Sequence, residues 1–294
     1  ISRYERRAFS LRFATGQTLS IVRGKPAIVG IVNVTPDSFS DGGQYDSVDA
    51  AVAHAEKLIE EGADLLDIGG ESTRPGADPV GEAEELRRVV PVIERLAGRV
   101  RVPISIDTSK VAVAQAALEA GAGMINDVTG FAPPAEVGSP SLGALAAEFR
   151  APCCVMHMKG TPRTMSDDPQ YIDLIGELLA FLRERTRGLT ELGVPRDQIV
   201  IDPGFGFGKT VEQNLTLLRR LQEFASLGQP ILVGLSRKST LGKLSGAPVE
   251  DRVPESIAAH LLAASRGAHL LRVHDVRETR KALTILDALS DPPA

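Results

Sequence analysis

Polar residues that can do chemistry recur where the short apolar runs of this sequence end. Any one of them could simply cap a following helix, but all eight runs end this way, which favours a shared site. Asp107 and Asp202 together suit a ligand edge with several N–H donors, such as that of a guanidine-like heterocycle. The full set is Asn33, Glu71-Ser72-Thr73-Arg74, Asp107, Asn126-Asp127, His157, Asp202, Ser236-Arg237-Lys238, Arg272 and His274.

Two residues near the end of the chain indicate an anion site. Arg272 and His274 are two positions apart in an apolar run, and the two-residue repeat of a strand turns alternate side chains to one face. A divalent cation bound to the side-chain carbonyl of Asn33 would complete the site between the last strand and the first. A lone histidine is more often structural, but Arg272 beside it favours phosphate.

Residues 204–210, GFGFGKT, resemble the end of a phosphate-binding P-loop. The frame of that motif puts Pro203 where its first glycine belongs, so nucleotide binding by this segment is not expected. Its glycines instead indicate a backbone that passes close to a ligand. Phe205 or Phe207 would then offer the ligand a flat apolar wall.

Residues 37–42, DSFSDG, begin like a calcium-binding loop. Phe39 occupies a ligand position and Val48 stands where a bidentate glutamate belongs, so the segment is not an EF-hand. We interpret it as a mobile loop after the first strand, in which Asp37 could close over a substrate.

An alternation of strand and helix patterns positions these residues. Strict alternation predicts a parallel α/β sheet, and eight units close into a (β/α)8 TIM barrel, with an open doubly wound sheet as the alternative. In a barrel the active site lies at the C-terminal ends of the strands, where the polar residues fall. The predicted strands are 27–34, 64–70, 102–108, 123–128, 153–158, 199–204, 231–236 and 269–275, and the predicted helices are 48–61, 82–96, 111–120, 141–149, 171–192, 211–224, 255–265 and 276–289.

The first 25 residues are predicted to form an extension of the barrel. Residues 11–14 and 18–21 flank the turn Thr15-Gly16-Gln17, a pattern typical of a β-hairpin. We expect this N-terminal β-hairpin (1–25) to close the N-terminal mouth of a single barrel domain that occupies residues 26–290.

Composition limits the classes of partner. The 33 basic and 38 acidic residues leave a net charge of −5, which does not support a nucleic-acid or membrane surface. No stretch reaches the roughly 18 apolar residues of a membrane helix, and Ile1 to Phe9 lacks the apolar core of a signal peptide. Cys153 and Cys154 are adjacent in an apolar run, which indicates a reducing compartment. We expect a soluble cytoplasmic protein.

At the same strand ends the sequence resembles the dihydropteroate synthase family, from Gly30 to about Thr279. The resemblance implies a TIM-barrel transferase of folate biosynthesis that joins a pterin diphosphate to p-aminobenzoate and releases pyrophosphate. The motifs that carry it are GIVNVTPDSFSDGG, DIGGESTRPGA, SIDTSK, INDV, VMHMKGTP, DPGFGFGK, VGLSRKS and RVHDV.

The resemblance also implies a role for each matching residue. Asp107, Asn126, Asp202 and Lys238 would bind the pterin. Mg²⁺ and the diphosphate would lie near Asn33, with the phosphates held by Thr73, Arg74, Arg272 and His274. The p-aminobenzoate slot would be bordered by Ser236, Arg237, Phe205 and Phe207.

Two alternative functions and the oligomeric state remain open at this point. A methyltetrahydrofolate-binding methyltransferase domain shares the pterin-binding barrel, but it would have no use for a diphosphate site. A catalytically silent pterin-binding paralogue is the other alternative. Members of the family tend to dimerise through late barrel helices, which favours a homodimer. The apolar residues Ile257-Ala258-Ala259 and Leu261-Leu262 could either pack on the barrel or contact the second copy.

Overall fold

The computed structural model describes residues 8–22, 25–35, 44–74, 76–134, 136, 139–165 and 169–290. Asp37 lies outside the described residues. Among those that are described, no helix has the length and apolar character needed to cross a membrane.

Eight parallel strands form the predicted barrel. Strands that follow each other along the chain pair in register from the first barrel strand to the sixth, and the eighth lies between the first and the seventh. A parallel bridge between Ile201 and Ile231 closes the ring. The strands are almost wholly buried, as expected where helices cover a parallel sheet. They are β3 Ala27–Asn33, β4 Leu65–Gly69, β5 Ile104–Asp107, β6 Met124–Asp127, β7 Cys153–Met156, β8 Ile199–Asp202, β9 Leu232–Val233 and β10 Leu270–Val273.

Helices follow the strands on the outside of the barrel. They are α1 Gln44–Glu60, α2 Glu82–Leu96, α3 Val111–Ala120, α4 Leu142–Phe149, α5 Leu174–Glu191, α6 Val211–Arg219, α7 Ser239–Ser245, α8 Val253–Ser265 and α9 Val276–Ser290. Of these, α7 is not in the predicted set. Its seven residues are too few to show a helical repeat in the sequence.

The N-terminal hairpin closes one end of the barrel. Strands β1 (Phe9–Arg12) and β2 (Thr18–Ile21) pair antiparallel, and Ala14 N donates a hydrogen bond to Gly123 O over 3.1 Å. Buried Leu11, Phe13 and Ile21 pack against the inner residues at the start of the barrel strands. These inner residues, here called the lower layer, are Ala27, Val29, Leu65, Met124, Cys154, Val200, Leu232 and Leu270.

Candidate active site

The opposite end of the barrel is lined by charged and amide side chains. Several lie two residues after a lower-layer residue on the same strand, and the two-residue repeat of a strand turns both into the interior. We call this set the mouth layer. It consists of Asp67, Asp107, Asn126, Asp202 and Arg272.

Arg272 bridges two carboxylates of the mouth layer. Its Nε donates to Asp67 Oδ2 over 2.6 Å, and its Nη2 donates to Asp107 Oδ2 over 2.7 Å. The same Asp67 oxygen accepts from Asn126 Nδ2 over 2.9 Å. A separate cation-lined site shared by Arg272 and His274 was expected; instead the guanidinium lies inside the carboxylate pocket.

Burial controls the protonation of the mouth-layer carboxyl groups. It raises the pKa of Asp107 to about 7, although the positive charge of Arg272 opposes the rise. It also raises the pKa of Asp202, where the Gly204 N–H and the charge of Lys238 act in the opposite direction. Two acidic residues therefore line the pocket with pKa values above those of exposed aspartates.

Asp202, Lys238 and Phe207 meet on one wall of the mouth. Asp202 Oδ1 accepts a hydrogen bond from Gly204 N over 2.7 Å. The Lys238 ammonium donates to Phe205 O and lies 4.0 Å from the centre of the Phe207 ring. Burial lowers the pKa of Lys238 to about 7. This wall presents a cation and an aromatic face side by side.

The expected role of the Phe205 ring needs correction. Its side chain is only 1% exposed and belongs to the main hydrophobic core, so it offers no surface to a ligand. The ring of Phe207 is half-buried. Only the Phe205 carbonyl takes part in the wall, through Lys238.

His274 and Arg237 lie beyond the ends of β10 and β9. Strand β10 ends at Val273, so His274 is one residue beyond it rather than on its inner face. His274 Nδ1 lies 2.9 Å from Ser236 Oγ, and burial lowers the pKa of His274 to about 3. The imidazole is therefore neutral at pH 7. The positive charge of Arg237 is paired with Asp275.

Asn33, Thr73 and Arg74 lie at the ends of β3 and β4. Asn33 is the last residue of β3, Thr73 is half-buried and Arg74 is exposed. Arg74 contributes to the low pKa of His274, which places its charge near that histidine. Nowhere in the described part of the chain do three imidazole, thiol or carboxylate groups converge as a ready metal site.

The sequence interpretation missed Asp67. It accepts from both Arg272 and Asn126, and its Oδ1 is buried with no hydrogen-bond partner among the described residues. Its signal was a charged residue inside the predicted strand 64–70, in the inward register set by Leu65. Asp67 lies in the middle of its strand, whereas the predicted site residues lie at the strand ends.

Comparisons with known proteins show which family this chain resembles. The family model described as pterin binding enzyme matches residues 29–274. The dihydropteroate synthase of Escherichia coli strain K12 is 45% identical over 278 residues, which cover 94% of this chain and 95% of that protein.

Two solved structures of Xanthomonas albilineans dihydropteroate synthase are similar over nearly the whole barrel. The one with 4-aminobenzoic acid is 50% identical with a TM-score of 0.89, and the match covers 98% of this chain and 100% of that one. The one in complex with 7,8-dihydropteroate is 48% identical with a TM-score of 0.85, covering 97% and 100%.

Proposed function

This chain belongs to the pterin-binding enzyme family, and on that premise we propose that the barrel mouth is the active site of a dihydropteroate synthase. The enzyme is a transferase of folate biosynthesis. It joins the methylene carbon of (7,8-dihydropterin-6-yl)methyl diphosphate to the amino nitrogen of p-aminobenzoate and releases pyrophosphate, giving 7,8-dihydropteroate.

The observation that carries the proposal is the mouth layer itself. A pterin presents an amino group and ring N–H groups along one edge, and Asp107, Asn126 and Asp202 offer oxygen acceptors at three points around the pocket. Lys238 supplies a donor for the pterin carbonyl and the adjacent ring nitrogen. Asp67 orients Asn126 and Arg272 rather than facing the pterin itself.

The diphosphate leaves from the side of the mouth between β10, β3 and β4. When the C–O bond breaks, its electron pair goes to the diphosphate oxygen, and positive charge develops on the pterin methylene. Arg272 and Arg74 stabilise the leaving anion electrostatically, while Thr73 and neutral His274 supply hydrogen bonds. Burial raises the pKa of Asp107 to about 7, and positive charge that develops on the nearby methylene would favour its ionised form.

The chemistry of the donors fits Mg²⁺. A magnesium ion usually keeps several waters and takes one or two protein oxygens together with substrate phosphates, so the single amide oxygen of Asn33 is a suitable protein ligand. When bound, the ion would neutralise charge on the diphosphate.

p-Aminobenzoate occupies the side of the mouth bordered by Ser236, Arg237 and Phe207. Phe207 offers a face for the benzene ring. The side chain of Arg237 is partly exposed, so it can contact the carboxylate of p-aminobenzoate. The aniline nitrogen attacks the electron-poor methylene with its lone pair and then loses a proton to solvent. No side-chain nucleophile is needed.

A pyrophosphate-release assay tests this function. The protein is incubated with the pterin diphosphate, Mg²⁺ and p-aminobenzoate, and pyrophosphate and dihydropteroate are measured together. We expect both products in equal amounts. Pyrophosphate formed equally well without p-aminobenzoate and Mg²⁺ would contradict the proposal.

A homodimer and a cytoplasmic location are part of the same proposal. Leu262 on α8 and Ile285 and Leu289 on α9 are exposed large apolar side chains on neighbouring helices, which supports a contact between two copies. Cys153 and Cys154 are buried free thiols, as is usual in a reducing compartment. Sedimentation of the protein measures its oligomeric state directly.

A further inference from the structure

The loop between β8 and α6 is folded unusually tightly against its neighbours. Gly204, Gly206 and Gly208 all have positive φ angles, between 64° and 79°. A Cβ atom at 204 would lie 1.9 Å from His157 O, and one at 208 would lie 2.3 Å from Lys159 O. The backbone of this loop therefore lies directly on the segment that follows β7.

One buried side chain lies beneath this loop and holds it. Lys209 is 8% exposed, and its Nζ donates to Gly204 O over 2.8 Å and to Phe207 O over 3.1 Å. The third partner is His157 Nδ1 at 3.1 Å. All three contacts are local to the loop and to the segment on which it lies.

The protonation of this pair matches its geometry. Burial lowers the pKa of Lys209 to about 7 and the pKa of His157 to about 3. His157 is therefore a neutral imidazole that can accept at Nδ1. Asp202 opposes the fall in the Lys209 pKa, while the positive charge of Lys238 adds to it.

Other side chains form hydrogen bonds with further peptide groups of the loop. Asn214 Oδ1 accepts from Gly206 N over 2.8 Å, and the Tyr171 hydroxyl donates to Gly208 O over 2.8 Å. Lys238 donates to Phe205 O from the mouth side. Between these contacts, the ring of Phe207 is the part of the loop that faces Lys238 at the mouth.

We infer that Lys209 is a positioning residue for the p-aminobenzoate subsite. Because it binds the carbonyls of Gly204 and Phe207, it fixes the position of the Phe207 ring at the mouth. This rests on the proposed function, because the subsite is defined by it. Lys209 does not touch the substrates and acts only through the loop. Replacing a purely structural lysine would change the KM of both substrates alike. Replacing Lys209 should change the KM for p-aminobenzoate more than the KM for the pterin diphosphate.

Steady-state kinetics of Lys209→Met tests the inference. Methionine fills a similar volume but gives no donor, so two loop carbonyls lose their hydrogen bonds from Lys209. We expect the KM for p-aminobenzoate to rise about tenfold, the effect of losing about one such bond, while the KM for the pterin diphosphate changes by less than about threefold.

Two further variants should have smaller effects on the same KM. Lys209→Gln keeps a shorter donor, and His157→Phe removes one acceptor but keeps the ring that packs edge-on against Phe181. Each is expected to raise the same KM by about threefold, as for a partly lost hydrogen bond. If Lys209→Met fails to fold, these two variants test the inference by the same comparison of the two KM values.

Thr210→Ala is the matched control. Thr210 caps α6 next to Lys209 but has no contact with the loop carbonyls, so this change should lower the melting temperature and leave both KM values unchanged. An active wild type with equal KM changes for both substrates in the Lys209 variants would overturn this inference alone. A wild type that releases no pyrophosphate would overturn the proposed function and the inference together.

Discussion

The two ends of the barrel are built from the same strands but differ completely in chemistry. On β4, Leu65 and Asp67 face the same interior two residues apart, yet Leu65 packs against the hairpin side while Asp67 binds Arg272. On β10, Leu270 and Arg272 repeat the pattern. One layer is closed and apolar, and the next is open and charged.

The difference shows how the barrel separates stability from chemistry. Apolar burial in the lower layer contributes free energy of folding without any requirement for exact charge placement. The mouth layer pairs two carboxylates with one guanidinium, an arrangement that costs desolvation free energy and lies where the proposed substrates bind. Changes in the two layers should therefore have separable effects on stability and on activity.

The largest effect is expected from Arg272→Met. Removing the guanidinium leaves Asp67 and Asp107 facing each other, and breaking a buried pair in this way costs about 3–5 kcal/mol of folding free energy. We expect kcat/KM to fall by at least about a thousandfold, because pterin binding and diphosphate loss both suffer. Urea unfolding and the pyrophosphate assay measure the two losses. Unchanged stability would show that the bridge is not formed.

A change at the hairpin end of the barrel should do the reverse. Phe13→Ala removes a buried ring that packs on the lower layer, which should lower the free energy of unfolding by about 3–5 kcal/mol. The kcat/KM of the folded fraction should stay within about twofold, since the mouth is untouched. Arg12→Ala is the control, because its pair with Asp197 is exposed and contributes little. A large fall in kcat/KM would mean that the two layers are coupled.

Asp202→Ala should weaken pterin binding. Loss of a charged acceptor costs about 1.5–3 kcal/mol, or between about 10-fold and 100-fold in affinity, measured by calorimetry with a pterin analogue. Asp202→Asn keeps an acceptor for Gly204 N and so separates loop support from charge. Equal affinity in the wild type and both variants would place the pterin elsewhere.

The smallest expected effect is a change in how the free energy of unfolding depends on pH, caused by His260 on α8. His260 is buried, accepts from Leu235 N and has its pKa lowered by burial to about 4. Between pH 4 and 6.5 the unfolded chain binds a proton at residue 260 that the folded chain does not, so the free energy of unfolding falls as pH falls.

His260→Gln removes this contribution. Its free energy of unfolding should fall less steeply than that of the wild type between these pH values, by about 1.4 kcal/mol per pH unit at most. Asp107, with its raised pKa, acts in the opposite direction in both proteins and cancels in the comparison. Parallel pH curves for the two proteins would contradict the shifted pKa of His260.

The sequence predicted the elements of the fold because each has a strong local signal. Buried parallel strands are continuous apolar runs, and the hairpin has a short turn between two alternating segments. Mouth residues at strand ends, such as Asp107 and Asp202, could also be predicted, since barrel topology places every strand end at one face. Asp67 could have been found from its inward register within β4.

Other features depend on packing that no local pattern reveals. Which of Phe205 and Phe207 is buried depends on positive φ angles in the loop between them. That Arg272 bridges Asp67 and Asp107 depends on three strands distant in sequence. Lys209 lies in the segment that matches a P-loop only in part, and only its three-dimensional partners reveal which carbonyl groups it binds.

The hairpin has a consequence for synthesis of the chain on the ribosome. Leu11, Phe13 and Ile21 are translated before every barrel strand, but they pack against residues as late as Leu270. This apolar segment therefore has no complete binding surface until the last barrel strand has been translated. Its exposed side chains during that interval are a natural contact for chaperones, and docking of the hairpin marks the completion of the barrel.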